Sequence, residues 1–164
     1  MKRLTDTFCK AVLGITVMSF TALFGFCGCA RGSKRNVNTV EEMTLTQRGM
    51  RGGTVYKIEN KDGRVELRRY REIYSGEETA LEPEGSAVCE AEAFVELMNS
   101  CGVMQWNGFH GKHPKNVSDG ITFSLTATVN GGESITADGS ARYPKGYLDF
   151  VRALGGMLAS GENN

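Results

Sequence analysis

The sequence predicts an α+β fold: an antiparallel sheet of about five strands with two helices packed on one face. Two observations carry that prediction. Stretches of alternating apolar and polar residues fold back twice on turn residues, at Asn60-Lys61-Asp62-Gly63 and at Asn130-Gly131-Gly132. Two other stretches repeat apolar residues at helical spacing, so the order reads strands, helix, strands, helix. A helix layer laid on one face of an antiparallel sheet buries both apolar surfaces together.

The elements follow in chain order. Met43 to Gln47 reads as a short first strand. Thr54 to Glu59 and Arg64 to Tyr74 form a hairpin, because Asp62-Gly63 favours a tight turn. The acidic segment EETALEPEG reads as a loop leading into a helix over Ser86 to Ser100. There Val88, Ala91, Val95 and Met98 share one face, and Gly102 supplies the stop. Ile121 to Val129 alternates apolar and hydroxyl residues, and Ser134 to Ala137 returns as the second hairpin arm. Pro144 opens a last helix with Tyr147, Phe150, Val151, Leu154 and Leu158 on one face. Within one helix Cys89 and Cys101 would stand roughly 18 Å apart, whereas a disulfide needs Cα atoms within about 7 Å. Both are therefore expected to be unpaired packing residues.

The N-terminus differs in kind. Lys2, Arg3 and Lys10 precede AVLGITVMSFTALFGF, which is apolar apart from Thr16, Ser19 and Thr21. A basic opening, an apolar stretch and small residues form the pattern of a secretory signal peptide. The end of this segment, Phe26-Cys27-Gly28-Cys29-Ala30, resembles the bacterial lipoprotein signal, in which a small residue precedes a cysteine that is lipidated before cleavage. That resemblance implies lipidation at Cys29 and attachment to the outer side of a cell membrane. An uncleaved membrane helix is the competing reading, although the apolar run is short against the roughly 20 residues that a span needs. The expected organisation is a signal peptide over 1–28, a lipidated Cys and tether over 29–40, one globular domain over 41–160 and a disordered tail over 161–164.

Composition excludes some functions. The 164 residues carry 19 basic and 19 acidic side chains. Removing residues 1–28 takes away three basic residues and one acidic, leaving 16 against 18 and a net of −2. That is not a nucleic-acid-binding balance. Arg68, Arg69 and Arg71 lie among Glu66, Glu72 and Glu77 and read as a solvated strand face. MTLTQRGMRGG, WNGF, DGITFSL and ADGSARYP look like segments of small Gram-positive lipoproteins of unknown function. This resemblance implies no activity and no catalytic residue.

The candidate site is Trp106 to Asp119, WNGFHGKHPKNVSD, which holds both histidines and the only tryptophan. Long aperiodic connections often carry function. Trp106, Phe109, His110, Lys112 and His113 are the expected binding residues, with Trp106 either displayed or plugging the core. His110 and His113 with Asp119 supply too few rigidly aimed donors for a zinc site. Cys101, at a helix C-terminus, is poorly placed as a nucleophile. Neither G-x-S-x-G nor S-x-x-K occurs. RGMRGG at Arg48 to Gly53 could form an anion nest but more simply joins two strands. These features favour a non-enzymatic module that binds an envelope protein, peptide or glycan, with no cofactor. An envelope hydrolase or metal-binding protein using His110 and His113 is the alternative.

Overall fold

The computed structural model describes residues 35–50, 52–75, 78–115 and 120–161. Segment 1–28, Cys29, tether residues 30–34 and tail residues 162–164 lie outside the described residues. Among the described residues seven strands form one sheet: β1 (Val40–Gly49), β2 (Gly52–Lys61), β3 (Arg64–Ser75), β4 (Glu78–Glu90), β5 (Phe109–Gly111), β6 (Thr122–Val129) and β7 (Glu133–Ser140). Their spatial order is β4-β3-β2-β1-β6-β7-β5. Helices α1 (Ala91–Cys101) and α2 (Tyr147–Gly161) pack against each other and against β3 and β4. The class is α+β as expected, but the sheet has seven strands rather than five. It is also mixed, because β5 pairs parallel to β7.

Both expected hairpins form. Asp62 and Gly63 adopt φ of 53° and 82°, the two positive values that a tight strand-to-strand turn requires. Strands β6 and β7 close around Asn130, whose φ is 53°. One face of the sheet carries Met43, Leu45, Ile58, Leu67, Leu125 and Ile135, all at or below 1% exposure, and the helices cover it. Burying each such side chain contributes about 1.5–3 kcal/mol. The other face of β1, β6 and β7 presents Thr44, Ser124, Thr126 and Thr136.

The helix expected over Ser86 to Ser100 is strand over its first five residues. EETALEPEG is no loop either: β4 runs to Glu90, and only Ala91 onward is helical. Sheet pairing overrides the helical period here. Ala87 and Cys89 face the core while Val88 points to the open face at 56% exposure. Pro83 and Gly85 disfavour a helix upstream, and the register slips between Arg69 and Tyr70 to absorb the extra residue. Within α1, Phe94 and Met98 are buried, and Gly102 ends the helix at φ 72°. Cys89 and Cys101 are both free thiols, separated by the end of a strand and a whole helix.

The folded part begins earlier than the expected boundary at residue 41. Val37 is 1% exposed, and the Asn99 amide clamps its backbone from both sides. Val37 N–H donates to Asn99 Oδ1 at 2.9 Å, and Asn99 Nδ2 donates to the Val37 carbonyl at 2.8 Å.

Candidate functional site

A cleft of about 750 Å³ opens where the C-terminus of α1 meets the turns leading into β5 and α2. Trp106, Phe109, Tyr143, Cys101, Lys145 and Asp149 line it. Gly102 turns the chain into a single 3₁₀ turn, Val103–Trp106, which drives the indole inward. Trp106 is 2% exposed and forms the floor rather than a displayed anchor. Its ring meets Phe150 edge-on at 5.6 Å and Tyr147 at 5.9 Å, while Nε1 donates to the Lys145 carbonyl at 2.9 Å. Tyr143 stacks on Tyr147 at 4.7 Å and gives the rim an aromatic wall, its hydroxyl donating to the Ile121 carbonyl. Lys145 and Asp149 are exposed and offer opposite charges at the mouth.

Burial pushes the Cys101 thiol up, the hydrogen bond with Ser100 offsets part of this, and the charge of Asp149 raises it again, which disfavours the thiolate.

The sequence-predicted set divides. Trp106 and Phe109 line the cleft, whereas His110 and His113 turn toward β7 on the other side of the strand. His110 Nδ1 stands 2.6 Å from Asp138 Oδ2, and His113 Nδ1 stands 2.7 Å from Ser140 Oγ. Lys112 is exposed between them. The stretch is less aperiodic than its glycines suggest, because Phe109–Gly111 forms β5 along the edge of the sheet. Among the described residues no three His, Cys, Asp or Glu side chains gather as a metal site. Asp119 lies outside those residues. Tyr143, Lys145 and Asp149 were not anticipated. Their one sequence signal is the Tyr-Pro pair before the last helix.

A second cleft, of about 580 Å³, lies at the end of the sheet among Gln47, Thr54, Arg71, Ile73, Tyr74 and Ile121. Beside it Glu72 is 4% exposed and holds Arg48 in a two-pronged pair, Nε to Oε2 at 2.7 Å and Nη2 to Oε1 at 2.8 Å. The Tyr74 hydroxyl donates to Oε2 at 3.2 Å. A Cβ on Gly53 would stand 2.5 Å from Glu72 Oε2 and 3.0 Å from the Gln47 carbonyl oxygen, so a side chain there would disturb the pair. RGMRGG thus joins β1 to β2, and its first arginine is engaged by a carboxylate of the same chain. Of the three strand arginines, Arg68 pairs with Glu66 on the open face, while Arg69 and Arg71 both meet Glu84.

Comparison of the chain with protein families, with curated proteins and with solved structures finds no match in any of them.

Proposed function

We propose that the chain is an envelope-facing binding module, tethered to the outer side of a cell membrane through lipid on Cys29. In this reading it takes an envelope glycan or peptide in the cleft floored by Trp106. The cleft itself carries the reading: a concave site with aromatic walls and a few convergent polar groups is the usual form of a ligand pocket. Phe109 and Tyr143 supply flat apolar surface for a ring, and Lys145 and Asp149 supply one charge of each sign. Sedimentation with purified envelope material tests the cleft.

The tether is tested separately. Cys29→Ala is expected to leave an unprocessed precursor or to release the protein into the medium. Mass spectrometry of the wild-type chain should find an N-terminus at Cys29 carrying lipid. Any other N-terminus, or no lipid mass, overturns the tether.

A further inference from the structure

We propose that Ser140 is a serine nucleophile activated by His113, and that it accepts the acyl group of short-chain esters presented on the open face of the sheet. Ser140 is the last residue of β7 and, like Asp138, projects on the side away from the helices, since Ala137 and Gly139 face the core. Its Oγ lies 2.7 Å from His113 Nδ1, within the distance over which a general base takes a proton. With the imidazole proton on Nε2, the serine hydroxyl donates to Nδ1.

The local backbone is shaped around this pair. Gly120 passes so close to the imidazole that a Cβ there would stand 3.0 Å from His113 Cε1 and 3.2 Å from Nδ1. Immediately after the serine, Ala141 takes φ 52°, a left-handed conformation uncommon for any residue but glycine. Its N–H donates to the Ile121 carbonyl at 3.0 Å and fixes the bend that leaves Ser140 at the strand tip. Two residues earlier the same strand face carries Asp138, bound to His110, which ties β5 to β7 and holds the segment leading to His113.

The chemistry balances without a cofactor. Ser140 Oγ bonds to the ester carbonyl carbon as its proton passes to His113 Nδ1. The bond from carbon to the leaving alkoxide breaks, and the alcohol departs with that proton. Water then adds to the acyl-serine with His113 again taking a proton. The carboxylic acid leaves, the proton returns to Ser140 Oγ, and the enzyme is restored. His113 is exposed, so the pair suits an ester carried on a larger polymer.

The test uses the full chain and two probes, a short alkyl fluorophosphonate and p-nitrophenyl acetate. One equivalent of phosphonyl adduct is expected on Ser140, located by peptide mass spectrometry, and none in Ser140→Ala. His113→Gln keeps a polar side chain without a base. It is expected to slow labelling and acetate release by about 100-fold or more, within the 10²–10⁴ that general-base catalysis contributes. The melting temperature of each variant, read alongside, confirms that it is folded. Glu96→Gln, an exposed change on α1 outside both the pair and the cleft, should leave both rates unchanged. No adduct, an adduct on another residue, or labelling indifferent to His113→Gln overturns the proposal.

Discussion

Trp106→Ala is expected to cost about 3–5 kcal/mol of folding stability, the range for deleting a buried tryptophan. The indole is 2% exposed and is held between Tyr147 and Phe150 at ring distances under 6 Å. Its removal leaves a cavity bordered by the first turn of α2 and the end of α1, neither of which can collapse inward without losing its sheet contacts. The lost hydrogen bond to the Lys145 carbonyl, which is part-buried, adds to that cost. Chemical denaturation should show a lower midpoint with an unchanged slope. A loss under about 1 kcal/mol, well below the range for such deletions, would mean that the ring is displayed.

Arg48→Ala is expected to cost about 1–3 kcal/mol at neutral pH, between the ranges for exposed and buried ion pairs. The intermediate range applies because Glu72 is 4% exposed while Arg48 keeps 54% of its side chain in solvent, where screening weakens the pair. The loss should depend on pH. The two hydrogen bonds from Arg48 hold the Glu72 carboxyl below the usual carboxylate range, against burial, which pushes it up. A lowered folded-state value stabilises the protein above the unfolded carboxylate pKa of about 4.3 and fades as pH falls through the folded value. In the variant only burial and the weaker Tyr74 bond remain, so Glu72 protonates more readily. The gap between wild type and variant should therefore be widest near neutrality and shrink below about pH 4. A gap that stays constant from pH 7 to pH 3 would contradict the paired-carboxylate account.

The sequence carried the hairpins and α2 plainly, because turn residues and a helical repeat each specify local geometry. Asp62-Gly63 and Asn130-Gly131 named their turns, and Tyr147, Phe150, Leu154 and Leu158 named the buried face. It misread Ser86 to Glu90, where Ala87, Val88 and Cys89 fit either period and only pairing with Leu67 and Val65 decides for strand. Strand β5 was invisible: its three residues, the last of them Gly111, carry no alternation, and their partner is a strand 28 residues away, Phe109 opposite Ala137. The candidate site was legible in composition but not in geometry. Trp106 and Phe109 reached a cleft, yet its other wall comes from Tyr143 to Asp149. The histidines found Asp138 and Ser140 through the parallel β5–β7 register, which no local spacing encodes.

The claim that the Trp106 cleft is the ligand site is tested most directly by quantitative sedimentation of the full chain with purified cell-envelope glycan. Wild type should be compared with Lys145→Glu and Asp149→Lys. Both side chains are exposed, and Lys145 supports Trp106 only through its backbone carbonyl. Lys145→Glu should therefore move stability by no more than about 0.5 kcal/mol. Asp149→Lys also loses the Arg152 pair and an acidic charge in the first turn of α2 and should cost about 1 kcal/mol, which leaves the domain folded. The account predicts saturable binding by the wild type and at least about tenfold weaker binding by one or both reversals, equivalent to about 1.4 kcal/mol. Wild-type binding that both reversals retain, or a wild type that stays in the supernatant, would contradict it.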